Sequence, residues 1–516
     1  MGGTPTKGQE MNPIEIRSGE AVVESRNPAT GELVGTVPDM DEGRVRQAIQ
    51  RARGASREWA ALSVKERVDH LDGVLDLMLD RLDEVVDVVC AETGKTRNEA
   101  LFSEVMVTAE LMASYAKRAP RLLAPKRVST GIMRTKRAVK FYEPYGVVGV
   151  ISPWNYPFTL TMAPVVTALV AGNTVVLKPS EVTPLTGVLV GDLFGAVGAH
   201  RDIVQVVTGG GGTGNALVTG GVDKIAFTGS VATGRKVMQA AAANLTPVVL
   251  ELGGKDPLVV CEDADLDRAA AAAVWGAFTN AGQTCISVER VYVADRVYDE
   301  FVGKVLERAR TVEVGRDIGS MTFPPQVEIV ERHLADAVAK GATVALGGGR
   351  VAGAAGLQFE PTVVLDVDHS MELMQEETFG PVLPIMRVRD DEEAIRLAND
   401  TRYGLDAAVF TQSPERADRL AAAIESGNVC VNDVLVNYAL TELPFGGMKE
   451  SGIGRAHGEE GLMEFVRVKS VASDRAGLKR EPYWFAPASA AGLLKRFLKA
   501  RYRRGASAKL RGLLRG

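Results

Sequence analysis

Gly146-Val147-Val148-Gly149-Val150-Ile151-Ser152-Pro153-Trp154-Asn155-Tyr156-Pro157 opens the part of the chain that decides the fold. Four β-branched residues among the first six, without polar alternation, are what a strand buried on both faces requires. The two prolines hold the turn that follows extended and keep a helix from starting early. Further short apolar runs lie at 174–177, 203–207, 224–227 and 248–252, and stretches of helical periodicity separate them at 158–171, 183–197, 212–219 and 231–242. That alternation predicts right-handed βαβ units and an α/β class with a doubly wound parallel sheet.

Outward from this stretch the pattern changes twice. Upstream, 44–62 and 65–92 carry apolar residues at helical spacing, with Gly94-Lys95 as a stop. Downstream, a second βα array is expected, with helices at 266–279, 297–310, 325–340, 391–399 and 414–426. Its strands fall at 288–293, 343–346, 362–366, 406–411 and 428–432. Residues 127–144 read as a hairpin and 466–472 as a lone strand, a type of element that subunits exchange, so a homodimer or homotetramer is expected. The expected division is a dinucleotide-binding domain at 1–126 and 145–251, a catalytic domain at 252–463, oligomerisation elements at 127–144 and 464–474, and a tail at 475–516.

A chain of 516 residues is too long for a single core. The 46% hydrophobic and 24% charged content is that of a soluble globular protein. No apolar run reaches the length of a membrane span, and 160–171 reads as a core helix. The N-terminus lacks the apolar segment of a signal peptide. Cys90, Cys261, Cys285 and Cys430 are far apart, which argues against disulfides and metal sites and for a reducing, cytoplasmic location.

Three side chains carry the chemistry. Cys285 lies in Thr-Asn-Ala-Gly-Gln-Thr-Cys, between a helix and a strand, where a thiol can be exposed yet held. Read alone, it is equally an inert buried cysteine. Glu251 ends an apolar strand in Leu-Glu-Leu-Gly-Gly-Lys, where a carboxylate must be paired, with Lys255 the available partner, or used as a base with a raised pKa. Asn155 is either an Asx-turn residue or an oxyanion donor acting with the Cys285 backbone N–H. Nucleotide binding has two signals. Phe227-Thr228-Gly229-Ser230-Val231-Ala232-Thr233-Gly234 joins a strand to a helix and aims backbone N–H groups at an anion. Lys178, Ser180 and Glu181 follow a neighbouring strand, at the sheet edge that binds nucleotides, or form a solvated loop pair.

Together with Glu376-Glu377-Thr378-Phe379-Gly380-Pro381, Pro444-Phe445-Gly446-Gly447 and Ser451-Gly452-Ile453-Gly454-Arg455, these motifs resemble, in order, those of the aldehyde dehydrogenase superfamily over roughly residues 20–474. The resemblance implies two doubly wound domains and an oligomerisation hairpin and strand. It implies Cys285 as nucleophile, Glu251 as general base and Asn155 as oxyanion donor. It also implies Trp154, Lys178, Ser180, Glu181, Gly229, Ser230, Gly234, Glu377 and Phe379 as cofactor-binding residues. The implied reaction is NAD(P)-dependent oxidation of an aldehyde through a thiohemiacetal and a thioester. NAD is the expected cofactor, since Glu181 would accept a ribose 2′-OH, and Ser180 leaves NADP open.

Two departures bear on the substrate. Where semialdehyde dehydrogenases resembling this chain carry arginines, Ala163 and Thr279 stand here, and Ala456 replaces a glutamate of some members. An apolar or aromatic aldehyde is therefore expected first, and a succinate-semialdehyde-type substrate second, the latter favoured if Arg290 faces the site. Acyl transfer to coenzyme A and a non-catalytic structural role are the remaining alternatives. Residues 475–516 hold twelve Lys/Arg and one acidic residue, a net of +11 that leaves −16 on residues 1–474. Leu493, Leu494, Phe497 and Leu498 oppose Lys495, Arg496 and Lys499, a basic amphipathic pattern over 493–504 suited to the inner face of an anionic membrane. A solvated tail, or one packed on the acidic body, is the other expectation. Nucleic acid is not an expected partner.

Overall fold

The computed structural model describes residues 14–17 and 19–505. The expectation about the N-terminus and the last part of the tail fall on 1–13 and 506–516, outside the described residues. The chain divides into two compact units, one built from residues up to Ala124 and from Tyr142–Val468, the other from Pro125–Phe141 and from Lys469 onward.

The first unit holds two α/β sheets. One has six strands in the order Gly452–Ile453, Val248–Glu251, Lys224–Thr228, Val147–Ile151, Thr174–Lys178, Val204–Val206. Its five long-range strands are parallel, and Gly452–Ile453 alone runs antiparallel, against Glu251 and Leu250. That edge strand lies within the segment expected in the second domain, yet it hydrogen-bonds to the first sheet. Val147–Ile151 and Thr174–Lys178 are buried throughout, as their lack of alternation required.

The other sheet has seven strands, in the order Thr343–Leu346, Thr362–Leu365, Val382–Val388, Val288–Ala294, Asp256–Val260, Ala408–Phe410, Cys430–Val431. Two of its central strands, Asp256–Val260 and Val382–Val388, go beyond the sequence pattern. One opens on Asp-Pro and the other contains Pro384, features that argue against an interior strand. Parallel pairing of Val364 with Pro384 accommodates that proline at the centre of the sheet. The expected helix 65–92 is two, Val64–Asp80 and Leu82–Thr93, broken at Arg81, whose side chain pairs with Glu84 at 2.7 Å and Asp192 at 2.8 Å. An additional hairpin, Val22–Arg26 with Leu33–Pro38, precedes the helices.

The second unit is built on a three-stranded sheet in the order Val466–Asp474, Lys136–Pro144, Lys126–Val128. The terminal strand is therefore not lone but pairs with the hairpin of its own chain. A helix, Ala490–Tyr502, follows it.

Candidate active site

Cys285 sits at the end of a loop under backbone strain. Asn280 and Ala281 have φ of +52° and +53°, conformations that side chains adopt only when their surroundings force them. Gly282 continues the left-handed run at φ +72°, and a Cβ there would meet the Gly380 carbonyl oxygen at 2.1 Å, so only glycine fits. Hydrogen bonds fix the rest: Gln283 Nε2 donates to Asn280 O at 3.0 Å, Thr322 N donates to Gln283 Oε1 at 2.7 Å, and Tyr156 and Thr284 hydroxyls meet at 2.7 Å. Cys285 is half-buried and lines the cleft. Cys261 and Cys430 are buried, and Cys90 lines no cavity described for the molecule. Burial, followed by the neighbouring carboxyl groups of Asp256, Glu377 and Glu251, holds the Cys285 thiol well above the usual range, while its own backbone N–H works the other way.

Glu251 ends its strand beside the same cleft, and neither carboxylate oxygen has a hydrogen-bond partner. Burial raises its pKa well above the ordinary carboxylate value, with Glu464 adding to this and Arg455 opposing it. The pairing with Lys255 does not form. Lys255 Nζ instead lies 2.5 Å from Glu289 Oε2 and 3.0 Å from Thr378 Oγ1. Glu251 is thus a desolvated carboxyl group free of any ion pair, the condition a water-activating base needs.

Asn155 is buried, lines the cleft, and donates from its side-chain amide to Gln283 O at 2.9 Å, which ties the Pro-Trp-Asn-Tyr-Pro turn to the Cys285 loop. Lys95, read from the sequence only as part of a helix stop, and Glu104 fix this turn. Lys95 donates to the Asn155 carbonyl and pairs with Glu104 at 2.9 Å, and Glu104 accepts from the backbone N–H groups of Phe158 at 3.0 Å and Thr159 at 2.8 Å. Glu289 does the same opposite, accepting from Thr378 N at 2.8 Å and Phe379 N at 2.9 Å. The signal for Glu289 was present as a charged residue inside an apolar strand.

A cleft of about 690 Å³ runs along the carboxyl edge of the six-stranded sheet and reaches Cys285. Trp154, Lys178, Ser180, Glu181, Gly229, Ser230, Glu377 and Phe379 line it, whereas Gly234 lies beneath, where a Cβ would strike Leu252 at 2.6 Å. Ser230 caps the helix Val231–Ala242, accepting from Thr233 N at 3.3 Å, so that helix presents its N-terminus to the cleft. Lys178 Nζ meets Glu181 Oε2 at 2.8 Å. Gly211 and Gly214, in the helix Gly211–Thr219, line the cleft as well, with open space where a Cβ would stand. Near Cys285, Glu377 accepts from Gly254 N at 3.1 Å, and burial, then the charge of Glu289, pushes its pKa up to about 8. Phe379, at φ +51°, sets its ring edge-on to Trp154 at 5.4 Å. A capped helix N-terminus and the Lys178–Glu181 pair on one cleft at the carboxyl edge of a parallel sheet are features that fit a dinucleotide.

Beyond Cys285 and Glu251 lies a second, narrow pocket, lined by apolar groups including Leu160, Ala163, Leu405, Tyr438, Phe445 and Phe465. Arg290 does not face it. That side chain is fully buried and donates to the carbonyls of Lys255, Leu397 and Ala398. Thr279 is absent from the lining too. Arg455 does line the pocket, with its guanidinium bound to the Gly447 and Gly454 carbonyls at 3.1 and 2.7 Å. His457 also lines it, and burial lowers its pKa to about 4, so at neutral pH the imidazole carries no charge.

The sequence model of the aldehyde dehydrogenase family matches residues 15–471, and the chain belongs to that family. It is 45% identical to a Methylomonas protein named 4,4'-diapolycopene aldehyde oxidase, over 90% of this chain and 88% of that one. It is 41% identical to a putative succinate-semialdehyde dehydrogenase [NADP(+)] of Mycolicibacterium smegmatis, over 86% and 87%. Among solved structures, a Mycobacterium tuberculosis aldehyde dehydrogenase complexed with NAD+ superposes with a TM-score of 0.85 at 35% identity, covering 89% of this chain and 96% of that one. The protein is an NAD(P)-dependent oxidoreductase that acts on small-molecule aldehydes.

Proposed function

We propose that Cys285 is the nucleophile, Glu251 the general base and Asn155 the oxyanion donor in the oxidation of an apolar or aromatic aldehyde to its carboxylic acid. The Cys285 thiol gives its proton to water in the cleft, and the thiolate bonds to the carbonyl carbon as the C=O π pair moves onto oxygen. The resulting oxyanion is met by the Asn155 amide and the Cys285 backbone N–H, a donor of this kind being worth about 3 kcal/mol of barrier. Lys178, Ser180, Glu181, Gly229, Ser230, Trp154, Glu377 and Phe379 would hold a nicotinamide dinucleotide, which when bound would supply the hydride acceptor. The carbon is then a thioester on Cys285. Glu251 takes a proton from a water that adds to this thioester, and the C–S bond breaks to release the acid. An unpaired, desolvated Glu251 supports hydrolysis over acyl transfer to coenzyme A. The Lys178–Glu181 pair supports NAD over NADP, because its carboxylate would repel a 2′-phosphate.

The apolar or aromatic aldehyde is supported chiefly by the pocket beyond Cys285, which Ala163 lines without adding a charge, from which Arg290 is turned away and where Arg455 bonds to backbone carbonyls. The Methylomonas relative, named 4,4'-diapolycopene aldehyde oxidase, supports the same reading. An aldehyde panel spanning chain length and charge, run with NAD and NADP in parallel, tests it. kcat/KM should rise with apolar chain length and be lowest for succinate semialdehyde. A preference for the semialdehyde would overturn the assignment in favour of the activity named for the mycobacterial relative.

The partner set includes further copies of the chain, as a homodimer or homotetramer, supported by the strand Val466–Asp474 with Val468 and Val471 exposed. It also includes a peripheral contact of 493–504 with the inner face of a membrane from a cytoplasmic location. No described helix is long and apolar enough to cross a membrane. Light scattering on the full chain reads the copy number.

A further inference from the structure

We infer that the segment from Lys479 to Arg504 is a built docking surface for a bilayer with anionic headgroups, from which the enzyme draws its aldehyde. This rests on the apolar substrate proposed above, since such an aldehyde resides in lipid rather than water. The single acidic residue of 475–516, Glu481, is buried and paired with Lys136, so the charge the segment presents to solvent is wholly positive. The turn after it is held rather than loose. Arg480 donates three hydrogen bonds, to Trp484 O at 3.1 and 2.8 Å and to Phe485 O at 2.8 Å, and Trp484 N donates to Glu481 O at 3.1 Å. This turn thrusts out Tyr483, Trp484 and Phe485, the last 95% exposed and in the left-handed region at φ +49°. Aromatic rings held in water at such cost are the anchors of a membrane interface.

The helix Ala490–Tyr502 adds the second half of the surface. It contains no acidic residue, and Leu493, Leu494, Phe497 and Leu498 form one exposed arc, with Leu493 at 74%. Lys495, Arg496 and Lys499 occupy the opposite arc, and Arg503 and Arg504 follow. Arg501 alone falls within the apolar arc, in the last turn, where its long stem lets the guanidinium reach headgroups. The acidic residues of 1–474 offer a rival occupant, a second copy of the chain. Charge alone would serve that contact, and it would leave the exposed leucines and aromatic rings unexplained. A lipid surface uses both faces.

Flotation of the full-length protein with vesicles of phosphatidylcholine alone, and of equal parts phosphatidylcholine and phosphatidylglycerol, tests the inference. Binding is expected only to the anionic vesicles and should fade as salt is added. Phe485→Ser, and Leu493→Ser combined with Phe497→Ser, should each lower the bound fraction about tenfold while leaving turnover of a short water-soluble aldehyde unchanged. Three results would overturn it: no binding by the unaltered protein, equal binding to neutral vesicles, or variants that bind like the parent. A fall in oligomer mass on truncation after Asp474, with no vesicle binding, would assign the segment to a second copy and overturn it equally. Turnover of a long aldehyde dispersed in detergent is read separately, so failure of the substrate assignment and failure of the docking surface give different results.

Discussion

At Cys285 the protein faces a contradiction that pH exposes. A thiol held above its usual range is mostly protonated at neutrality, whereas the nucleophile is the thiolate. Raising pH removes that proton, so kcat/KM should climb as pH increases from neutrality, and a profile flat from pH 6 to about 9 would show that deprotonation of the thiol is not limiting. Glu251→Gln should leave the first turnover of NADH formation intact and slow later turnovers by about 10²–10⁴-fold, as stopped-flow absorbance would show. Glu181→Ser should shift the NADP-to-NAD ratio of kcat/KM upward by about tenfold, because it removes a carboxylate and frees Lys178 for a phosphate. Cys285, Glu251 and Asn155, the residues proposed to react, stood out in the sequence because each lies within three residues of a glycine or proline that breaks a regular element, and the structure brings all three to one cleft. Lys95, Glu104 and Glu289 did not stand out, since what they do depends on which backbone groups the fold brings to their buried charges, and no spacing in the sequence records that.

At the level of the elements, the strained loop and the capped helix make separable claims. Gly282→Ala would force a Cβ into the Gly380 carbonyl at φ +72°, and should lower the melting temperature as well as activity, a loss of about 2 kcal/mol or more. An alanine variant with unchanged melting temperature would contradict the packing described. Ser230→Ala removes a helix cap worth about 1 kcal/mol, and should raise the KM for the dinucleotide with little change in the KM for aldehyde. The strands of the first sheet announced themselves through buried, unbroken apolar runs. Those of the second announced themselves less well. Asp256–Val260 and Val382–Val388 carry an Asp-Pro start and an internal proline, and tertiary pairing overrode what those residues signal locally. Arg81 shows the converse, a helix-compatible residue at which the helix breaks and whose side chain binds two carboxylates.

For the molecule as a whole, its buried carboxyl groups make stability fall with rising pH, while the buried imidazoles of His333 and His457, lowered to about 4, oppose that fall below about 6.5. Glu377 titrates at about 8 in the folded chain against 4.5 in the unfolded one, and Glu251 is raised likewise. Between those pH values the folded state binds more protons than the unfolded state, so these groups make stability fall as pH rises from about 4.5 to 8. Melting curves of the unliganded protein should show that fall, and Glu377→Gln should flatten it. The chemistry itself is tested most directly by trapping. Glu251→Gln is mixed with aldehyde and NAD, quenched in acid, digested and mapped by mass spectrometry. The expected result is the acyl group of the substrate on the peptide carrying Cys285 and on no other cysteine peptide. An unmodified Cys285 in a variant that still forms NADH, or turnover by Cys285→Ala, would contradict covalent catalysis at this residue.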